Sequence, residues 1–248
     1  MLRIYTRKYK IISLFIISFL SSITAGQIAH PFSVGERIKY STWFNFVKGG
    51  ISTLEVVSFD SLNGIPVYHI RSITESNSFF DRFYKVRDKI DSWIDVSGLY
   101  SREFRKSLRE GRYRKKYSVR FDYHQMRAIS QSDTVSINGI IHDGLSMFYY
   151  VRALDLSVGD VIDLNYFDND KLRPFKIKVE NKENVKVPAG EIECYVLTPF
   201  SEKGKLFKNK NLVTIYLSTD EKRIPVMISN EALFGSMILK LESIYFPD

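Results

Sequence analysis

"RYRKKYSVRFD", residues 112–122, is the stretch on which the fold class turns. Tyr113, Lys115, Tyr117, Val119 and Phe121 share one parity; Arg112, Arg114, Lys116, Ser118 and Arg120 share the other. Successive side chains of a strand point to opposite faces, so this alternation predicts a wall with an aromatic side and a basic side. Upstream, "YSREFRKSLR" (100–109) keeps the same rhythm, and Glu110-Gly111 reads as the turn joining the two into a hairpin.

The pattern extends in both directions. "RIKYSTWFNFV" (37–47) and "ISTLEVVSF" (51–59) flank Lys48-Gly49-Gly50, read as a hairpin turn because paired glycines accept positive φ. "IPVYHIRSI" (65–73), "FYKVRDKIDSWID" (83–95) and "MRAISQSDTVSI" (126–137) continue a meander. Beyond residue 160 come "DVIDLNYF", "LRPFKIKVENKENVKV", a turn at "PAG", "EIECYVLTPF", "NLVTIYLS", "RIPVMISN" and "GSMILKLESIYF". Turn signals about 10 residues apart predict a mainly β fold. The expectation is a strongly curved antiparallel sheet forming an open or closed barrel. No composition break suggests a second domain.

The N-terminus reads as an export leader. Arg3, Arg7, Lys8 and Lys10 precede the apolar run "IISLFIISFLSSI" (11–23), and small residues follow at "ITAG". The run is short for a membrane span, which needs about 20 apolar residues. Cleavage is expected after Ala25 or Gly26, leaving 27–248 as one β-rich domain. Cys194 lies far from that point, so no lipid attaches to a new N-terminal cysteine. Removing the four leader cations from 36 leaves 32 against 28 acidic residues, a net charge of +4. An exported chain with that balance has no use for nucleic acid; an anionic membrane surface or an envelope protein is the expected partner. A lone cysteine forms no internal disulfide, and "EIECYVL" places Cys194 with Ile192 and Val196 as a small buried residue.

One segment reads as helix: "HDGLSMFYYVRAL" (142–154), helical from about 143 to 154. Asp143 is the expected N-cap. Leu145, Phe148, Tyr149 and Arg152 repeat at helical spacing, and Met147, Tyr150, Val151 and Leu154 make the other side apolar, so the helix packs on or in the sheet. Arg152 is then expected to meet a carboxylate or a strand carbonyl. His142, Asp143 and Ser146 lie close in sequence, but His142 falls outside the helix and shares no face with Ser146; no catalytic residue is assigned. His30, His69, His124 and His142 show no metal-ligand spacing, and "DNDK" (168–171) lacks the glycine and glutamate of a calcium loop, so neither metal nor cofactor is expected.

Four ordered blocks resemble the bacterial domain of unknown function family numbered 3108, whose members are mostly exported envelope proteins. They are "FSVGERIKYSTWF" (32–44) with the glycine pair after it, "HDGLSMFYYVRAL" followed by "LSVGD", "VPAGEIECYVLTP" (187–199), and "VTIYLSTDEKRIPVMI" (213–228) with "FGSMILKL". Within them Gly35, Glu36, Asp143, Ser146, Tyr150, Arg152, Pro188, Gly190, Asp220, Arg223 and Pro225 are the positions the resemblance marks as structural. Tyr216 stands where tryptophan is expected, Thr219 where an acidic residue is more frequent, and His142 is not a family residue. The resemblance implies a fold and a compartment, with no assigned reaction. The end pattern "IYLSTDEKRIPVMI" is more loosely similar to the unclosed barrels of the outer-membrane lipoprotein carriers, which hold acyl chains beneath helices.

Two readings of function follow. The first is a non-enzymatic carrier of a lipid or other apolar ligand, with Trp43, Tyr113, Tyr117, Phe121, Phe148 and Tyr149 lining the hollow. The second is a structural or assembly factor of the envelope with a filled core, acting through the basic patch Arg112, Arg114, Lys116 and Arg120. The volume of the interior separates them, because a ligand pocket needs ~300 Å³ or more.

Overall fold

Residues 30–200, 212–232 and 235–247 are described by the computed structural model; the leader 1–26 and its cleavage point lie outside the described residues. The alternating stretches become β1 (Arg37–Phe44), β2 (Val47–Leu62), β3 (Ile65–Ser76), β4 (Arg87–Asp95), β5 (Ser101–Glu110), β6 (Tyr113–Asp122), β7 (Arg127–Ser130) and β8 (Thr134–Ser136). A helix, α1 (Ser146–Arg152), separates them from β9 (Val161–Asp168), β10 (Lys171–Val187), β11 (Gly190–Phe200), β12 (Leu212–Ser218), β13 (Pro225–Ala232) and β14 (Gly235–Tyr245). All described strands join one antiparallel sheet in the order β8-β7-β6-β5-β4-β3-β2-β1-β14-β13-β12-β11-β10-β9. Short turns make sequence neighbours into sheet neighbours within each meander, and the β1–β14 ladder unites the two meanders.

The ladder does not close into a barrel. β8 and β9 are its edges, because the chain between them is occupied by α1 and its approach. That approach makes a small splice instead. Ser101 N donates to Ile141 O (3.0 Å), His142 N to Asn165 O (2.8 Å), and Phe167 N to His142 O (2.9 Å), so Ile141 bonds β5 and the next residue, His142, bonds β9 through backbone. The β9–β10 turn also reaches β5 and β6. Lys106 pairs with Asp168, the Tyr117 hydroxyl donates to Asp170 Oδ1 (3.0 Å), and the Phe167 ring meets Phe121 edge-on at 5.4 Å.

Two local expectations are corrected. The first hairpin turns at Asn45-Phe46, with Asn45 at φ 51°, while Gly49 and Gly50 lie inside β2. Asparagine tolerates the left-handed region, so the glycines were not needed for the turn. Gly50 serves the β2–β3 crossing: a Cβ there would sit 2.1 Å from the Glu75 carbonyl oxygen. The helix, expected over 143–154, is regular over Ser146–Arg152. At its far end Ala153 N and Leu154 N bond Tyr150 O and Val151 O three residues back, a tightened turn that stops propagation.

Burial follows the alternation. Ile38, Tyr40, Val56, Ile70 and Ile94 form a cluster under Leu145 and Tyr149 of the helical segment. Ile177, Leu197, Ile215 and Leu217 form another around Val151, with Met147 and Phe148 packed against it. Phe104, Tyr117, Val119, Phe121, Ile141 and Phe167 make a third, beneath the β5–β6 hairpin. Apolar contact on both flanks of a seven-residue helix supplies the stability that so short a helix lacks alone.

Candidate functional site

The segment entering α1 is fixed by one carboxylate. Asp143 is fully buried, and its Oδ1 accepts from Leu145 N (2.7 Å) and Ser146 N (3.0 Å), while Asp143 N donates to Ser146 Oγ (2.8 Å). This reciprocal cap satisfies first-turn donors that a buried helix start would otherwise leave orphaned. Oδ2 accepts from Ser92 Oγ (2.6 Å) and Ser101 Oγ (2.5 Å), tying the cap to β4 and β5. Burial raises the Asp143 pKa above the usual carboxylate range, with the bonds from Ser101, Ser92 and the two backbone groups opposing the rise.

His142 and Ser146 make no nucleophile–base pair. Ser146 Oγ is engaged by the Asp143 backbone, and the His142 ring packs on Tyr150 with centroids 4.7 Å apart. Burial drives the His142 pKa down to about 4, and its Nδ1 lies buried without a partner. Cys194 is buried and free, its thiol pushed up to about 12 chiefly by burial, the opposite of an activated nucleophile. Among the described residues no group of His, Cys, Asp and Glu is placed to hold a metal.

The other end of α1 carries a buried ion pair. Arg152 Nη1 and Nη2 donate to Glu36 Oε1 (2.7 Å) and Oε2 (2.9 Å), and neither side chain reaches solvent. Nη2 also donates to Lys222 O (3.2 Å), and the guanidinium lies 5.0 Å from the Tyr149 ring centroid. Burial works against the charge, but the Glu36 partner leaves the Arg152 pKa above its ordinary value. Beside it the Tyr40 hydroxyl donates to Pro225 O (2.8 Å). Glu36, Arg152 and Pro225, from three distant sequence blocks, thus meet in one place.

The remaining marked positions shape turns around this knot. Gly35 has φ 89°, and its N donates to Val56 O (2.7 Å). Pro188 lies in the β10–β11 turn, which Gly190 leaves at φ 132°. Asp220 Oδ1 accepts from Ser218 Oγ (2.7 Å) and Arg223 N (3.1 Å), and Arg223, at φ 46°, reaches Asp155 (3.4 Å). Tyr150 is half-buried against both core clusters that flank the helix.

Polar and charged side chains gather on one face of β3 to β6, with His69 and Asp91 buried and Arg105 and Arg120 exposed. Cross-strand register aligns Arg71, Asp91, Arg105 and Ser118 in one row and His69, Trp93, Glu103 and Arg120 in the next. Asp91 Oδ1 lies 2.8 Å from His69 Nε2 and accepts from Arg71 Nε (2.7 Å), with Lys89 3.3 Å from Oδ2. Burial opposes the Asp91 charge, yet the His69 and Arg71 bonds hold its pKa down to about 2. The Trp93 ring stacks on His69 at 4.5 Å, and the Arg105 guanidinium lies 4.8 Å from it. Over these rows opens a hollow of about 510 Å³, lined by charged groups such as Lys89, Arg105 and Lys116. A second, of about 420 Å³, adjoins it at Arg109, Arg114 and Lys115. An anion entering the larger hollow meets Lys116 together with Lys89 and Arg105, whose charges are shared with Asp91 and Glu103.

The six residues expected to line one apolar cavity are not brought together. Tyr117 and Phe121 belong to the third cluster, Tyr149 is fully buried in the first, and Phe148 packs on the second. Trp43 is half-buried, its Nε1 donating to Ser41 Oγ (2.9 Å), and Tyr113 stands half-exposed at the start of β6. The void under α1, bounded by Met147, Phe148, Val151 and Ile177, measures about 10 Å³. Arg112, Arg114, Lys116 and Arg120 are all exposed. Sequence reading passed over the Asp91 network, because His69 and Asp91 meet through the β3–β4 register, which a ten-residue connection leaves open; the polar parity of "DSWID" was the available hint.

No helix among the described residues is long and apolar enough to cross a membrane. No curated protein matches the chain. Among solved structures it is similar to a β-barrel-like protein of domain of unknown function DUF1849 from Brucella abortus, at 12% identity and a TM-score of 0.59, covering 89% of this chain and 100% of that one. It is also similar, with a TM-score of 0.39 and 12% identity over 87% of this chain and 98% of the other, to a protein with a YmcC-like fold from Bacteroides fragilis. At such identity the likeness to the Brucella protein speaks for the fold alone. The model of the family described as "Protein of unknown function (DUF3108)" matches residues 37–242, and the chain belongs to that family.

Proposed function

We propose that this protein is a non-enzymatic module of the bacterial envelope, a barrel-like wrap left open between β8 and β9, which engages an anionic partner through the charged face of β3–β6. The export leader and the family resemblance support the envelope address. The observation that carries the reading is the contrast between the two kinds of space. The void beneath the helix is about 10 Å³, whereas the hollow over β4–β6 is about 510 Å³ and lined by four cations, Lys89, Arg105, Lys106 and Lys116, against two acids, Asp91 and Glu103. An acyl carrier needs an apolar hollow of ~300 Å³ or more. Filled packing under α1 favours a module that works from its surface.

In-cell crosslinking from the β6 face tests this. The parent chain is expected to capture a partner, and Arg114→Glu with Lys116→Glu to lose it while folding normally, since both side chains are exposed. Equal capture by parent and variant refutes the reading. Displacement of a fluorescent fatty acid from delipidated protein addresses the carrier alternative: saturable, stoichiometric binding would restore it.

A further inference from the structure

Antiparallel order puts the β1–β2, β3–β4 and β5–β6 turns and the start of β14 at the same end of the sheet. Backbone bonds lace these turns together. Asn77 N donates to Gly49 O (2.8 Å), Gly111 N to Lys85 O (2.8 Å), and Asn45 N to Ser236 O (2.8 Å). The rim so formed carries large apolar side chains out into solvent: Phe46 is 95% exposed, Phe83 76% and Phe79 57%, with Tyr84 and Tyr113 half-exposed beside them. Phe79 and Phe83 stack edge-on at 5.6 Å, so they form a patch rather than scattered singles. Interleaved with them, Arg82, Lys85, Arg109 and Arg112 are exposed cations. Of the nearby acids, Asp81 is bridged by Arg87, which also approaches Glu75 at 3.8 Å, while Glu110 and Asp88 face each other beside Tyr84, so the four cations outnumber the two carboxylates among them.

Aromatic tips ringed by Lys and Arg match a bilayer interface, where rings enter the headgroup–acyl boundary and cations meet lipid phosphates. A protein partner would more often cover such a rim with a pocketed, charge-depleted core. We infer that this end of the sheet docks the protein on an anionic phospholipid surface, with Phe46, Phe79 and Phe83 inserted and the four cations at headgroup level. The inference rests on the envelope address proposed above, and orients the charged face of β3–β6 alongside the membrane rather than into it.

The test is co-sedimentation of the processed chain, recovered from cells, with vesicles of phosphatidylcholine alone or mixed equally with phosphatidylglycerol. The parent should pellet with the mixed vesicles and much less with the neutral ones. Phe46→Ser with Phe83→Ser should weaken that partition at least about tenfold, and Arg82→Glu with Arg112→Glu should abolish the preference for the mixed vesicles. Urea midpoints equal to the parent's confirm that these exposed positions leave folding intact. A parent that stays in the supernatant, or a phenylalanine pair variant that pellets like the parent, overturns the inference; so does capture of an envelope protein by the rim without vesicle binding. Equal crosslinked capture by the parent and the Arg114→Glu/Lys116→Glu variant, with vesicle binding intact, would fail the preceding proposal and leave this one standing.

Discussion

Replacing Arg152 by methionine leaves the Glu36 carboxylate at zero exposure with no cation beside it. Two bonds of 2.7 and 2.9 Å vanish, and Lys222 O loses a donor as well. Removing one partner of such a pair costs about 3–5 kcal/mol, and the stranded carbonyl argues for the upper part of that range. Glu36→Gln is the milder change, about 3 kcal/mol, because the amide oxygen and Lys222 O still accept from the guanidinium. The double variant Glu36→Met/Arg152→Met removes both charges and should be more stable than the sum of its singles by about 2 kcal/mol or more. Urea unfolding followed by tryptophan fluorescence measures each midpoint, with the slope m checked for constancy. A loss below about 1 kcal/mol for Arg152→Met, or strict additivity, would refute the account of a desolvated, coupled pair.

Further outcomes follow from the other buried groups. Asp143→Ala removes the acceptor for two serine hydroxyls and two backbone amides and should cost about 3 kcal/mol in the same urea assay; a loss under a third of that would show the cap to be dispensable. His142 has a folded pKa near 4 against an ordinary 6.5, so its contribution is present above pH 6.5 and is lost as pH falls toward 4. The slope should approach about 1.4 kcal/mol per pH unit and flatten in His142→Gln, as urea midpoints across pH 7 to 4 would show. Gly50→Ala drives a Cβ against the Glu75 carbonyl and should destabilise by about 2 kcal/mol or more, whereas Gly49→Ala should be tolerated; equal midpoints for the two would contradict the close approach. Cys194 should react with a thiol reagent at the rate of global unfolding, and rapid labelling of native protein would disprove its burial.

Much of the fold was legible in residues 112–122 and their counterparts, because burial in a strand has a period of two and leaves a direct trace in side-chain chemistry. Tyr117, Val119 and Phe121 are buried while Arg114, Lys116 and Arg120 are exposed, as their parity required. The helix was legible in its middle but not at its ends, since Asp143 supplies cap bonds without helical regularity and the last turn tightens after Arg152. The glycine pair misled, because the same residue that frees a turn also admits a close strand crossing. Of the candidate site, the exposed cations of β6 could be read directly. The Asp91–His69–Arg71 cluster could not.

Local pattern alone determined the strands, the helix α1 with its aspartate, and the buried state of Cys194, each a consequence of how a few neighbouring residues meet water. Tertiary structure decided what those elements enclose: Glu36 finding Arg152 across 116 residues, the ladder stopping short between β8 and β9, and a void of about 10 Å³ beside α1 against a charged hollow of about 510 Å³ over β4–β6. Register and volume are properties of how distant strands fit together. A chain read one residue at a time carries the chemistry of its faces, but not the distance between them.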